Sequence, residues 1–347
     1  MPTETPVRRL DPRPQRALRL AFGTAACLAA SFGLALPIPF LPPVLTLFLL
    51  AMRNQPLSLR AGLALAALAA LTTGGGLLLI PLLRYYPASG VLLVALCLFL
   101  CFRQALRGGN PLVTTFLTIG LTLVSAAGAT AFALALTVIE ALVKGLLLTS
   151  LCFALGHWLF PEPAELAAPP SRPLPSADEA AWIALRATLV VIPAFLLALI
   201  DPASYMPLVM KAVSLGQQVC ATRARDAGRE LLGSTLLGGL LAVCFWSALS
   251  LFPHLWMFFL WTLLFVLLLA RRFHRLNDTR QTPGFWLNSA VTLIILLGQS
   301  VQDSAAGKDV YTAFAVRMGL FVAVTLYACA AVYLIDLRRL RRPISAI

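Results

Sequence analysis

Twelve apolar runs divide this chain, and the loops between them alternate in charge. The runs fall near 17–36, 38–52, 61–81, 88–102, 111–127, 130–157, 182–200, 203–220, 230–252, 255–270, 284–301 and 311–336. A helix needs roughly 20 apolar residues to cross a bilayer, with a range of about 17–25. Only helices and closed barrels satisfy their backbone there. Runs of this length predict an all-α, polytopic transmembrane bundle. The runs at 38–52 and 88–102 are short, and whether 38–52 crosses fully is left open by the sequence.

Arginine marks one side. The N-terminus carries Arg8, Arg9, Arg13, Arg16 and Arg19. Alternate loops carry Arg53 and Arg60, Arg103 and Arg107, Arg172 and Arg186, Arg223 to Arg229, Arg271 to Arg280, and Arg338 to Arg342. The opposite loops hold only Arg84 and Lys308 among 27 basic residues. Basic loops stay on the cytoplasmic side, so both termini are expected there.

Charged residues make up 12% of the chain and hydrophobic ones 60%, whereas about 25% charged is usual for soluble domains. The net charge of +13 would suggest nucleic acid in a soluble protein. Here loop placement accounts for it, so no nucleic-acid partner is expected. Anionic lipids are the expected partners of the basic loops. The seven cysteines form no CxxC pair and no zinc spacing. They read as small apolar fillers, and no metal or cofactor is expected. Nor is enzymatic activity. A GxxxxGK[ST] loop is absent, Gly307-Lys308 being followed by Asp309, and GxSxG and HExxH are missing too. The first run passes into Leu36, Pro37, Ile38 and Pro39 with no small-x-small cleavage site, so an uncleaved first span is expected.

A proline-rich linker, 161–180, divides a first six-span unit (1–160) from a second (181–347). It holds Pro161, Pro163, Pro169, Pro170, Pro173 and Pro175, a density that gives an extended spacer. The halves resemble each other. Leu18-Arg19 matches Leu185-Arg186, the prolines from Pro37 to Pro43 match Pro202 and Pro207, and Thr72 to Gly76 matches Gly233 to Gly239. Six spans is an even number, so the expected 6+6 repeat is parallel, about an axis along the membrane normal.

Ionised groups inside spans carry the sharpest functional signal, because each costs about 2.5–3.5 kcal/mol at the bilayer centre on insertion scales. Lys211 lies in the eighth span, followed by Ser214, Gln217 and Gln218. About eleven residues, roughly 16 Å at 1.5 Å each, separate it from Thr222, too far for its stem to reach water. A polar stripe there suits a substrate-binding cavity. Arg317 lies two turns into the twelfth span and either binds an anion or snorkels outward. Glu140 and Lys144 share one face of the sixth span at i,i+4. They either seal a helix contact or form a proton-coupling pair, in which protonating Glu140 frees Lys144. Asp201, Asp303 and Asp309 fall in loops opposite the arginines, where Asp303 could line an exit. His157, His254 and His274 sit at span ends. The glycines Gly74 to Gly76 read as a close helix contact.

Arg19 to Thr24, Met52 to Ser58 and Arg107 to Leu112, with Arg229, Gly233, Ser234 and Thr235, resemble the fusaric-acid-resistance and aromatic-acid-exporter superfamily, in its bacterial DUF2955-type membrane branch. The first half departs from the arginine-then-glycine-threonine pattern, since Arg60 leads to Thr72-Thr73-Gly74 at longer spacing. The resemblance implies an inner-membrane exporter of aromatic carboxylic acids or similar organic anions, working with a periplasmic adaptor of the membrane-fusion type. Larger relatives carry a cytoplasmic domain where this chain has only its linker. The expectation is a proton-coupled efflux permease. Lys211, Arg317, Ser214 and Gln217 would meet the organic acid, and Glu140 and Lys144 would couple it to protons. A passive anion channel and a non-transporting membrane subunit are the alternatives. Homo-oligomerisation is left open.

Overall fold

The computed structural model describes residues 11–53, 59–161, 175–221 and 224–340. Among the described residues there are twelve helical rods and no strand. In chain order α1 is Arg13–Gly33 and α2 Leu41–Met52. The third rod, α3, joins Leu59–Gly74, a 3-10 stretch Gly75–Leu79 and Ile80–Tyr85. Then come α4, Pro87–Leu106, and α5, which joins Pro111–Ile119, a π stretch Gly120–Val124 and Ser125–Thr130. The others are α6 Phe132–Leu159, α7 Ala177–Ile200, α8 Pro202–Ala221, α9 Ala224–Leu249, α10 Leu255–Phe273, α11 Pro283–Ala305 and α12 Val310–Leu340.

Punctuation follows the chemistry of helix ends. Proline opens α4, α8 and α11, where a missing N–H costs nothing. Ser176 caps α7 by accepting from Glu179 N, and Thr282 caps α11 through Phe285 N. The expected linker therefore ends earlier than its composition indicated, because residues 177–180 already belong to α7. Its stretch 162–174 lies outside the described residues, as do 1–10 and 341–347. Asp309 precedes α12 and accepts from Tyr311 N and the Thr312 hydroxyl. That Thr312 bond holds its carboxyl below the ordinary carboxylate value.

Nine rods are long and apolar enough to cross a membrane among the described residues. The three that fall short explain themselves. The first two turns of α1 carry Arg13, Arg16 and Arg19. With 12 residues, α2 is only roughly 18 Å long. The middle of α8 is interrupted by Lys211, Ser214 and Gln217. All three are packed inside the bundle rather than offered to lipid.

The centre is built from α5 and α11, both mostly buried, while α4, α10 and α12 are peripheral. Around them α2 lies on α1 and α6, and α8 on α7 and α12. The third rod, α3, packs on α5 and α6, and α9 on α11 and α12. The halves meet where α1 runs along α10, α4 along α7, α2 against α11 and α8 against α5. Glycine sets the closest approaches. A Cβ on Gly76 would lie 2.3 Å from the Gly120 carbonyl oxygen, and one on Gly120 would lie 2.5 Å from Thr73 Cα. The 3-10 stretch of α3 thus sits on the π stretch of α5 with no side chain between. Gly74 and Gly75 have nothing within 4 Å, so the glycine run makes its contact through Gly76.

Candidate functional site

Lys211 lies midway along α8, about 14 Å from either end at 1.5 Å per residue, and its side chain is wholly enclosed. Pro207, one turn earlier, sits inside the helix. The ammonium donates to Asn288 Oδ1 at 2.9 Å and to Thr292 Oγ1 at 2.6 Å, both on α11. Asn288 in turn donates from Nδ2 to Ser234 Oγ on α9 at 2.6 Å, and Ser214 donates to Asn288 Oδ1 at 3.4 Å. Thr292 passes its own proton to the Asn288 carbonyl, and Ser234 to that of Leu231. Every polar atom of the cluster has a partner, and all of its members are buried. A neighbouring pair, Thr235 and Thr325, ties α9 to α12 at 3.3 Å.

Among the described residues no carboxylate forms an ion pair with Lys211. Its partners are neutral oxygens. Held this way, the Lys211 amine is hydrogen-bonded but has no opposite charge beside it.

Three residues on, Ser214 continues the same face of α8, and after three more Gln217 does. Gln217 donates from Nε2 to Thr115 Oγ1 on α5 at 2.9 Å. The stripe that begins on α11 in the second half thus ends on a helix of the first half. Thr115 also lines a small cavity of about 10 Å3 with Phe48, Leu65, Phe116 and Thr149. Next to it, Thr114 lines a larger cleft of about 160 Å3 with Cys101, Gln104, Asn110 and Val113, at the basic α4–α5 loop.

The remaining expected site residues lie elsewhere. Arg317 does not join Lys211. Its two guanidinium nitrogens bind both oxygens of Asp303 on α11, Nη2 at 2.9 Å from Oδ1 and Nη1 on Oδ2. The pair is largely buried, with side chains 19% and 6% exposed. Asp303, expected in an outer loop, belongs to the last turns of α11. Glu140 and Lys144 are ion-paired to each other, but each side chain is half exposed on the outside of the bundle. The face of α6 that carries the pair is turned away from α1, α2, α3 and α5. No contact links it to Lys211 or Arg317.

Sequence reasoning missed Asn288, Ser234 and Thr292 as partners of Lys211. The available signal was Asn288 itself, an amide within an otherwise apolar helix. Arg19 and Arg186, assigned to loops by their charge, are buried inside α1 and α7. Arg19 packs its stem against Gly156 of α6, where a Cβ would meet Arg19 Cγ at 3.2 Å. Glu230 of α9 is also buried. Arg272, one of the positive loop residues, stacks over the Trp286 ring at 5.0 Å, fixing the ends of α10 and α11 together. No group of three or more His, Cys, Asp or Glu that could hold a metal ion occurs among the described residues.

Residues 16–155 match the model of a family described as a protein of unknown function (DUF2955). No curated protein and no solved structure matches the chain. The matched segment runs from α1 into α6, so Lys211 and its partners on α8, α9 and α11 lie beyond it.

Proposed function

We propose that this multi-pass membrane protein is an inner-membrane efflux permease for organic anions, with aromatic carboxylic acids as the favoured class. The observation that carries the proposal is Lys211, a mid-span cation enclosed by neutral oxygens. Such a group is costly to insert and has no structural need to be charged. A substrate carboxylate would supply the missing charge. Complete enclosure of Lys211 fits alternating access better than a permanently open pore.

The two halves form a 6+6 parallel repeat in this proposal, with both termini cytoplasmic. The packing supports the repeat. Shifted by six helices, the contacts of α1 with α2 and α6 become those of α7 with α8 and α12, and α1 on α10 becomes α7 on α4. Burial repeats as well, with α5 and α11 central and α4 and α10 peripheral. Pro42 and Thr46 of α2 correspond to Pro207 and Lys211 of α8. Thr46 merely bonds Thr149 and the Pro42 carbonyl, so the cation belongs to one half only. Rocking of one half on the other would break the Gln217–Thr115 bond and open a way from the α4–α5 cleft to Lys211.

Proton coupling belongs to the proposal, and we move its seat from Glu140 to Asp303. Asp303 is buried and bound to Arg317, so protonating it would free the guanidinium for a carboxylate. A periplasmic adaptor would receive the exported acid, and anionic lipids would hold the arginine loops. Transport of labelled benzoate in proteoliposomes tests the reading. Accumulation against a gradient that needs an imposed pH difference is expected. Equal flux down the gradient in both directions, without accumulation, would make the protein a channel. No flux at all would make it a non-transporting subunit.

A further inference from the structure

We infer that the outer face of α6 is the contact surface for a second copy of this chain. The observation is the place of the Glu140–Lys144 pair. On a helix of 28 residues the two lie about 12 and 18 Å from its start, near mid-membrane. Both side chains are half exposed and turned away from the bundle. Among the described residues no other span carries an exposed charge near its middle. Charged groups at that depth almost always face protein or water, not lipid tails, so an ion pair on a lipid-facing surface implies that protein covers it.

The surroundings specify what kind of protein. Leu136, Glu140, Lys144, Leu147, Leu151 and Leu155 succeed one another at spacings of three and four and are all exposed. They form one continuous ridge of a helix. Apart from the pair it is apolar, which suits helix-on-helix packing and leaves no role for a polar ligand.

The pair is also self-complementary. Two copies in one membrane share an orientation and are related by a twofold axis along its normal. That axis sets the two Glu140 side chains level with each other across it, and offsets each Lys144 from the second copy's Glu140 by one helical turn along the membrane normal, about 6 Å. A lysine stem spans this distance. Two carboxylates and two ammoniums then form one closed ring in which every charge has two opposite neighbours. An isologous contact of this sort is the commonest way for identical chains to associate. A different membrane subunit would need its own matching charges at this depth, whereas a second copy has them by construction.

Stepwise photobleaching of the full chain, carrying one fluorescent protein and embedded in lipid vesicles, tests the proposal. Two steps per spot are expected for the natural protein. Glu140→Lys should give single steps, because four ammoniums would then meet. Lys144→Glu should do the same with four carboxylates. Mixing the Glu140→Lys and Lys144→Glu copies during expression should restore two steps, since opposite charges again face each other. A Glu140→Leu, Lys144→Leu variant controls for folding. It removes charge from a lipid-facing surface, so it should remain folded yet bleach mainly in single steps. Single steps for the natural protein would overturn the proposal, as would two steps unaffected by Glu140→Lys. A single copy whose α6 cross-links to a different membrane subunit would overturn it as well.

Discussion

The ammonium of Lys211 and the side-chain amide of Asn288 lie 2.9 Å apart across α8 and α11, and the amide's other end reaches Ser234 on α9. One asparagine therefore joins three helices and orients the only wholly enclosed lysine among the described residues. An amide can do this because it accepts at one end and donates at the other. Aspartate in its place would neutralise the lysine and end its attraction for an anion.

Replacing Lys211 separates stability from function. Lys211→Met keeps the stem's volume and removes a buried polar head that is costly to desolvate, which offsets the roughly 1–3 kcal/mol lost by leaving Asn288 Oδ1 with only the Ser214 hydroxyl as donor. Thermal unfolding in detergent should be unchanged or shifted upward. Benzoate affinity should fall by roughly 10- to 100-fold, the equivalent of about 1.5–3 kcal/mol for hydrogen bonds to a charged group. A lower melting temperature with unchanged affinity would assign Lys211 to the scaffold.

Asp303 behaves in the opposite way. Asp303→Asn leaves the Arg317 guanidinium in its enclosed position without a carboxylate, and breaking one side of a buried pair costs about 3–5 kcal/mol. Arg317 retains partial exposure, so the lower end of that range is expected. Asp303→Leu with Arg317→Leu should recover most of the stability. If Asp303 couples protons, the double variant should still bind benzoate at Lys211, without the contribution of Arg317, but lose the dependence of uptake on an imposed pH difference.

The number of helices and their approximate bounds were legible in the sequence because hydrocarbon imposes one rule, a continuous apolar run of fixed length. Lys211, Ser214 and Gln217 were legible for the related reason that a polar residue inside such a run is conspicuous. What they touch was not legible. Asn288 lies 77 positions from Lys211, and nothing local to either marks the pairing. Rotation was not legible either. The i,i+4 spacing of Glu140 and Lys144 put them on one face of α6, but α6 is apolar all round, so no periodicity told the inward face from the outward one. Charge misled at Arg19 and Arg186, where a guanidinium about two turns from a helix start is enclosed by neighbouring helices whose approach the sequence does not state.

Gly238 tests how closely α9 and α11 must approach for the lysine to be held. A methyl group there would lie 2.6 Å from Thr292 Cβ and 2.7 Å from the Ser289 carbonyl oxygen. Thr292 is one of the two acceptors of Lys211. Gly238→Ala should therefore destabilise by about 1–3 kcal/mol through overpacking and weaken benzoate binding as well. Gly74→Ala is the control. Nothing lies within 4 Å of that position, and alanine in a helix is favoured by up to about 1 kcal/mol over glycine. Equal melting temperatures for the two variants would show that α9 and α11 have slack at this contact.

The Gln217–Thr115 bond is the place where the polar stripe of one half is fastened to the other. It joins neutral groups, so its net contribution is about 0.5–1.5 kcal/mol, small enough for a moving part to break and remake. Gln217→Leu and Thr115→Val should each leave the fold intact. If the bond restrains rocking between the halves, either change should speed benzoate exchange across the membrane and lessen accumulation, because the closed arrangement is then less favoured. The two changes together should do little more than one alone, since both remove the same contact. Stopped-flow exchange and steady-state accumulation, measured on the two single variants and the double, separate this from a binding role. Loss of benzoate affinity with unchanged exchange rates would make Gln217 part of the substrate site instead.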